Sequence, residues 1–310
     1  MKNKIPELRF FAALAVSVSI LIVSSYAFGS REDRGNAPIA EEKVLKPFPA
    51  VTLKAKAAYV YDSRTKTVLF VFNENKRMPL ASLTKLMSAL VAVDISPDYG
   101  TVTVSKEALT ADGDSGLRPG EKWQLKDLLD FSLVSSSNDG IRAVALALGA
   151  LDRSGVGSQE IIQDFVMQMN KKAAELDLKN TYFWNETGLD ESEMKGGAYG
   201  TARDMTMLLE HIIAYHPEIL EATKTSSLSV PSLDGFKHEA KNTNILALRI
   251  PGLLGSKTGF TSTAGGNLVF AFDPELGRPI IVSIMGSTEE GRFEDAETLI
   301  NAVLQYLNQN

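Results

Sequence analysis

Segments with the pattern of β-strands lie at both ends of this chain, and segments with the pattern of α-helices lie between them. Near the start, AAYVYD and VLFVFN are rich in aromatic and β-branched residues and are separated by SRTKT, which predicts a β-hairpin. After residue 250 three further strands are predicted, in LLGSKTGFT, NLVFAFD and PIIVSIMGS. One antiparallel sheet formed from both chain ends, flanked by helices and with a helical insertion in the middle, satisfies this order. We therefore predict a mixed α/β fold of the α+β type.

Helical spacing of apolar residues predicts the elements of the middle region. The segment PLASLTKLMSALV predicts a helix from about residue 81 to residue 94. Between residues 123 and 148 apolar residues follow helical spacing on both sides of SSSNDG, which predicts two helices joined by a polar turn. Three more helices are predicted at residues 159–177, 201–215 and 293–307.

The first 50 residues have the composition of a targeting segment followed by a linker. Residues 10–30 carry no charge and follow Lys2, Lys4 and Arg9, which is typical of an export signal or an uncleaved membrane anchor. Both interpretations predict that the rest of the chain is exported, to the periplasm or the extracellular face of the cell membrane. Residues 31–50 are polar and contain three prolines, which predicts a linker.

Charge and residue usage exclude several classes of function. Without residues 1–30 the chain has a net charge of −8, which argues against nucleic acid as a partner. The sequence has no Cys, and therefore no disulfide, thiolate metal site or cysteine nucleophile. Its three histidines form no HExxH motif. We therefore predict no metal site and no cofactor.

Ser82 and Lys85 are polar residues placed at the start of the apolar helix. At a spacing of three they share a helix face, so the amine can reach the hydroxyl. A serine is a weak nucleophile until a base takes its proton. For Lys85 to be that base, its pKa must fall from about 10.4 to about 7, at a cost of about 4 to 5 kcal/mol. Burial or a nearby positive charge produces such a shift.

The S-x-x-K spacing alone does not identify a catalytic pair, because it occurs twice more. Ser63 and Lys66 lie in the predicted hairpin turn, and Ser192 and Lys195 lie in the polar segment ESEMKGG, where a lysine stays solvated. Only the third pair lies at an apolar helix start, where unpaired backbone N–H groups can bind an oxyanion. Its ordinary alternative is a solvated lysine near a helix-capping serine.

Two further motifs add weight to a catalytic interpretation. The sequence contains S-x-N once, at residues 136–138, and K-T-G once, at residues 257–259. In a chain of this length S-x-N is expected about once by chance, and K-T-G well under about a tenth of a time. Their ordinary alternatives are a capped interhelical turn and a strand with an exposed lysine. The order of the three motifs weakens these alternatives.

These motifs together resemble the penicillin-interacting serine enzymes, and among them the low-molecular-mass D-alanyl-D-alanine carboxypeptidases. The resemblance spans most of residues 55–310. It rests on the segments MPLASLTKLMSAL, GDSGLRPGEKWQLKDLL, LVSSSND, KNTYFWNETGLD, YGTARDM and GSKTGFTSTAGGNLV. It implies a β-lactamase/transpeptidase-like catalytic domain over residues 51–310. It also implies a serine D,D-carboxypeptidase that removes the terminal D-alanine from peptidoglycan stem peptides through an acyl-enzyme, with β-lactams as covalent inhibitors.

The resemblance implies a role for four residues of the first two motifs. Ser82 would attack the carbonyl carbon of the penultimate D-alanine, and Lys85 would be its base. Ser136 would relay a proton to the leaving amine. Asn138 would hold Lys85 or the substrate backbone.

The third motif would bind the substrate. Lys257 and Thr258 would receive the free carboxylate of the terminal D-alanine, and the charge of Lys257 would help to lower the pKa of the catalytic lysine. Gly259 would let the strand approach the substrate without a Cβ atom. The backbone N–H groups of Phe260 and of the nucleophile would form the oxyanion hole.

Three alternatives stay open within this resemblance. A D,D-endopeptidase acting on peptidoglycan crosslinks would recognise the same D-alanine linkage beside a free carboxylate. A class A β-lactamase uses S-D-N and a loop glutamate, whereas this chain has S-S-N, and helical spacing predicts that Glu175 is a solvated helix residue. A non-catalytic envelope scaffold would keep the fold without the chemistry. The chain also departs from the family at Glu186, where proline is usual.

Overall fold

The central sheet joins the two ends of the chain. The computed structural model describes residues 46–97, 99–113, 115–150 and 155–309. In chain order the strands are β1 (Ala57–Asp62), β2 (Thr67–Phe72), β3 (Met78–Pro79), β4 (Thr101–Thr103), β5 (Lys122–Gln124), β6 (Tyr182–Phe183), β7 (Ala198–Gly200), β8 (Ser227–Pro231), β9 (Lys237–Lys241), β10 (Leu253–Thr261), β11 (Gly265–Phe272) and β12 (Ile280–Ser287). The main sheet has the order β10-β11-β12-β1-β2, and all its neighbouring strands are antiparallel. The predicted sheet from both chain ends is confirmed, with β10 at one edge.

The helices agree with the predicted ones to within a few residues. They are α1 (Thr84–Ile95), α2 (Leu125–Ser135), α3 (Asn138–Gly149), α4 (Ser158–Glu175), α5 (Ala202–Tyr215) and α6 (Gly291–Gln309). Short 3-10 helices occupy Ala81–Leu83, Ala108–Thr110 and Pro217–Lys224. Helices α1 to α5 lie in the chain between the first hairpin and β10, so the predicted helical insertion is confirmed.

Alternation along the strands gives the sheet two buried faces. Successive side chains of a strand point to opposite sides. In β1, Tyr59 belongs to the core shared with α1, and Val60 belongs to the core shared with α6. The sheet is therefore the middle layer, with the helical insertion on one face and the C-terminal helix on the other.

Helix α1 is enclosed by other helices, and this determines the environment of its polar residues. Each of its residues from Thr84 to Ala92 is buried, and it contacts α2, α3, α4 and α5. A helix that is apolar on nearly all sides is stable only when it is buried on all sides. Lys85 lies on this helix, so its amine is withdrawn from water.

The predicted targeting segment, residues 1–30, and most of the predicted linker lie outside the described residues. Residues 46–50 have no regular secondary structure. Phe48 nevertheless packs on Phe70 and Tyr306, at ring-centroid distances of 5.6 and 5.9 Å. Among the described residues, no helix is both long enough and apolar enough to cross a membrane.

Candidate active site

Ser82 and Lys85 lie side by side where the chain enters helix α1. Ala81 has a left-handed backbone conformation (φ +48°), and the short 3-10 helix that it begins carries Ser82 one turn before Lys85. The Nζ atom of Lys85 lies 2.8 Å from the Oγ atom of Ser82. Left-handed backbone is uncommon in residues with a Cβ atom and concentrates at functional sites. The predicted pair is thus within proton-transfer distance.

The amine of Lys85 has two further partners. It donates to Oδ1 of Asn138 at 2.7 Å and to the backbone carbonyl of Thr187 at 3.0 Å. The side chain is fully buried. These partners come from α3 and from the loop before β7, so three separate segments fix the position of one nitrogen atom. The structure therefore brings together Ser82, Lys85 and Asn138, as predicted.

Burial changes the protonation equilibrium of this amine. It lowers the pKa of Lys85 to about 7, and the carboxylate of Glu186 acts in the opposite direction. The resemblance implies that the charge of Lys257 contributes to the lowering, but in the structure burial is the cause, and the repulsion between the two lysines lowers the pKa of Lys257 instead. Near pH 7 a large fraction of Lys85 is therefore neutral and can accept a proton.

The S-x-N motif forms the turn between α2 and α3. Ser136 ends α2 in a left-handed conformation (φ +62°), and Ser137 caps α3 by accepting from the backbone N–H of Gly140 at 3.0 Å. Asn138 is then the first residue of α3 and directs its amide oxygen at Lys85. The ordinary interpretation, a capped turn, is correct for Ser137. The same turn places the two flanking residues at the site.

Strand β10 carries the K-T-G motif, and it forms the wall of the active-site groove that faces the S-x-N turn. Nζ of Lys257 donates to Oγ of Ser136 at 3.0 Å and to the backbone carbonyl of Thr258 at 3.0 Å. The hydroxyl groups of Thr258 and Thr243 lie 2.6 Å apart. The K-T-G motif and the S-x-N motif are therefore joined by a direct hydrogen bond across the groove.

Lys257 is buried near two other cations. Lys257 is only 1% exposed. Burial, together with the charges of Lys85 and Arg292, lowers the pKa of Lys257 well below its usual value. The predicted alternative of an exposed strand lysine is therefore wrong, because the side chain points into the protein. A negatively charged ligand is the natural partner for such a group.

Gly259 allows β10 to run close to the segment that carries Ser82. A Cβ atom on Gly259 would lie 2.8 Å from the carbonyl oxygen of Leu80 and 3.2 Å from the backbone nitrogen of Ser82. The sequence predicts that this glycine makes room for substrate; the structure adds that it makes room for the chain itself. The side chain of Phe260 is 46% exposed, so its predicted contribution rests on the backbone.

The lysines of the other two S-x-x-K pairs are exposed, unlike Lys85. Ser63 Oγ and Lys66 Nζ both donate to Oε1 of Glu210, each at 2.7 Å, and the Lys66 side chain is 65% exposed. Lys195 is exposed, with its amine 4.9 Å from the centroid of the Trp184 ring. Solvated lysines are predicted at both places, and both predictions are confirmed.

Three groups that contact the candidate site lie outside the sequence motifs. They are the carbonyl of Thr187, the hydroxyl of Thr243 and the guanidinium of Arg292, whose Nη1 donates to the carbonyl of Gly259 at 2.8 Å. Thr187 falls in the NETGLD segment that carries the family resemblance, so a signal existed there. No local pattern marks Thr243 or Arg292.

Two glutamates bear on the β-lactamase alternative. Glu175 ends α4, and its side chain is 47% exposed and 3.2 Å from the amine of Lys172, as expected of a solvated helix residue. Glu186 is fully buried and forms an ion pair with Arg142.

Comparison with known proteins agrees with this geometry. The family model described as D-alanyl-D-alanine carboxypeptidase, a peptidase family, matches residues 42–289. The chain belongs to this family. Its activity class is therefore that of a serine D,D-carboxypeptidase, a hydrolase, which confirms the function expected from the sequence.

Individual relatives cover most of the chain. It is 30% identical to the D-alanyl-D-alanine carboxypeptidase DacF of Bacillus subtilis over 96% of this chain and 72% of that protein. The solved Streptomyces K15 DD-transpeptidase has a TM-score of 0.74 at 27% identity, over 83% of this chain and 99% of that one. Penicillin-binding protein D2 of Listeria monocytogenes, in its ampicillin-bound form, has a TM-score of 0.64 at 32% identity, over 82% and 99%. The transpeptidase-like fold is thus confirmed.

Proposed function

We propose that this chain removes the terminal D-alanine of peptidoglycan stem peptides with Ser82 as nucleophile and Lys85 as its base. The observation that carries the proposal is the buried amine of Lys85, with a pKa of about 7, at 2.8 Å from the Ser82 hydroxyl. A base is most effective when its pKa lies near the working pH. An exposed lysine would be protonated there and unable to act.

Acylation begins when Oγ of Ser82 attacks the carbonyl carbon of the penultimate D-alanine. The hydroxyl proton passes to Nζ of Lys85, and a tetrahedral intermediate forms. The C–N bond to the terminal D-alanine then breaks, and the proton held by Lys85 passes through Ser136 to the leaving amine, which returns Lys85 to its neutral form. Ser136 Oγ lies 3.0 Å from the amine of Lys257. Deacylation follows the same steps, with water as the nucleophile and Lys85 again as the base.

Substrate selection depends on the free carboxylate of the terminal residue. Lys257 and the hydroxyl of Thr258 are the groups that we assign to this carboxylate, and Thr243 orients the hydroxyl at 2.6 Å. Arg292 adds positive charge behind the strand, through its bond to Gly259. A carboxylate would offset the mutual repulsion of these cations.

The oxyanion of the intermediate needs preorganised donors. We assign this role to the backbone N–H groups of Ser82 and Phe260, because β10 runs so close to this segment that a Cβ atom on Gly259 would lie 3.2 Å from the Ser82 nitrogen. Loss of one such donor typically costs about 3 to 4 kcal/mol in transition-state stabilisation.

A β-lactam would enter the same groove, since its strained amide and carboxylate copy those of the substrate. We expect slow release of the acyl group, because the sequence supplies S-S-N where a β-lactamase has S-D-N.

We also propose that residues 1–30 export the chain and, if uncleaved, attach it to the membrane. Residues 31–50 would then link them to a catalytic domain at residues 51–310, which would act outside the cytoplasm where peptidoglycan lies.

The test is covalent labelling by a fluorescent penicillin. We expect labelling of the wild type, none of Ser82→Ala, and full labelling of Ser63→Ala, which alters the matched S-x-x-K pair of the hairpin turn. Labelling of Ser82→Ala at the wild-type rate would show that another residue is the nucleophile.

A D,D-endopeptidase activity is the second candidate, because the chain is 31% identical to a D-alanyl-D-alanine endopeptidase of Pseudomonas aeruginosa over 70% of its length. Incubation with defined monomeric and crosslinked muropeptides distinguishes the two. Release of D-alanine from the pentapeptide monomer supports the carboxypeptidase, and conversion of dimers to monomers supports the endopeptidase.

A further inference from the structure

Glu186 is an acidic residue buried beside the catalytic groups, and the reaction described above gives it no role. Its side chain is fully buried. Oε1 accepts from Nε of Arg142 at 2.9 Å, whereas Oε2 has no hydrogen-bond partner in the described part of the chain. Burial of a carboxylate is unfavourable unless the group is paired and hydrogen-bonded. The Oε2 atom of Glu186 therefore acts on its surroundings only through its negative charge.

The backbone next to Glu186 connects it to the catalytic lysine. The Glu186 carbonyl accepts from Oγ of Ser88 at 2.6 Å, and the carbonyl of the following residue, Thr187, accepts from Nζ of Lys85 at 3.0 Å. Lys85 and Ser88 are three residues apart, so they lie on the same face of α1. Two consecutive carbonyls of the loop thus bind one face of the catalytic helix.

Arg142 connects the same carboxylate to the other segment that holds Lys85. It lies on α3, four residues after Asn138, whose amide oxygen accepts from Lys85 at 2.7 Å. The Arg142 side chain is 21% exposed, so the ion pair with Glu186 is largely withdrawn from solvent. The pair therefore ties the loop to α3, and Lys85 is hydrogen-bonded to both.

We propose that Glu186 is a positioning residue for Lys85. Its carboxylate fixes the loop against α3 and supplies negative charge that stabilises the protonated lysine formed when Ser82 loses its proton. This inference rests on the proposed function, because it assumes that Lys85 is the base.

Among the charged groups around Lys85, Glu186 is the one whose negative charge acts on its amine. Lys257, on β10, and Arg292, on α6, are basic. The carboxylate of Asp139, on α3, accepts from the backbone N–H of Ser115 at 3.2 Å. Glu186 is the acid that opposes the effect of burial on the pKa of Lys85. One substitution at Glu186 therefore tests the idea.

The test is the pH dependence of acylation by a penicillin in Glu186→Gln. Glutamine keeps an acceptor for Arg142 and removes the charge. Without that charge, the protonated form of Lys85 is less favoured, so its pKa falls. We expect the acidic limb of the rate profile to move to lower pH by about 0.5 unit or more. Glu186→Asp, which keeps the charge, should restore the wild-type limb.

The matched control is Glu193→Gln, which removes the same charge from an exposed position in the same loop and should leave the limb unchanged because water screens it. If Glu186→Gln melts below the assay temperature, Glu186→Met, which also removes the charge, carries the same expectation. A slower reaction with an unmoved limb, or a limb moved to higher pH, overturns the proposal. Loss of labelling in Ser82→Ala alongside an unmoved limb refutes this inference and leaves the proposed function standing.

Discussion

The low pKa of the Lys85 amine predicts a steep pH dependence for the reaction of Ser82 with penicillin. The amine must be neutral to accept the serine proton. Its pKa of about 7 lies far below that of an ordinary lysine because the side chain is fully buried on an enclosed helix. The acylation rate should therefore rise with pH through neutrality and fall as pH drops below it.

The size of the effect follows from the neutral fraction of Lys85. With a pKa of about 7, about 3% of the amine is neutral at pH 5.5 and about 97% at pH 8.5. The second-order rate constant of acylation should therefore increase about 30-fold between these two values. An ordinary lysine, with a pKa of about 10.4, would show no plateau below pH 9.

Stopped-flow or gel-based labelling with a fluorescent penicillin measures this constant at each pH. Circular dichroism over the same range verifies that the protein stays folded. A rate that differs by less than about threefold between pH 5.5 and 8.5, or a midpoint above about pH 9, would contradict the assignment of a neutral Lys85 as base.

Three further predictions concern single residues. Gly188→Ala should destabilise the fold by about 2 kcal/mol or more in urea denaturation, because the glycine has φ +82° and a Cβ atom there would overlap the carbonyl of Ala81. Glu121→Ala should destabilise by about 3 kcal/mol, because it removes the buried partner of His238 at 2.6 Å; penicillin labelling at a permissive temperature should stay normal. Thr258→Val should raise KM for a D-Ala-D-Ala peptide about tenfold, through loss of a hydrogen bond to the substrate carboxylate, and an unchanged KM would refute that role.

The sheet was predictable because its strands carry a strong local signal. The strands β1 and β12 are buried along their full length, and β11 is buried from Gly266 onwards. Nearly every residue in these strands is therefore apolar, and many are aromatic or β-branched. The hairpin of β8 and β9 was not predicted. Only Val230, His238 and Ala240 in it are buried, and polar residues occupy most of its exposed positions. Its stability comes from distant contacts, such as the pair of His238 with Glu121.

The site was predictable where side-chain chemistry repeats in a fixed local spacing. Two residues lie between Ser82 and Lys85, and one residue lies between Ser136 and Asn138. A short window of sequence therefore contains each motif. The carbonyl of Thr187 is different, because every residue has a carbonyl and 102 residues separate it from Lys85. Arg292 approaches Gly259 from a helix on the other face of the sheet. Only the tertiary fold places such groups.

The basic groups of Lys257 and Arg292 account for the free carboxylate that we expect the substrate to carry. In the unliganded protein, burial and the charges of Lys85 and Arg292 both oppose protonation of Lys257. A carboxylate placed against Lys257 reverses this balance and raises its pKa, because an opposite charge at close range favours the charged form. A substrate carboxylate would therefore stabilise the protonated form of Lys257. A peptide that ends in a neutral amide lacks this charge, so we expect the protein to bind it more weakly.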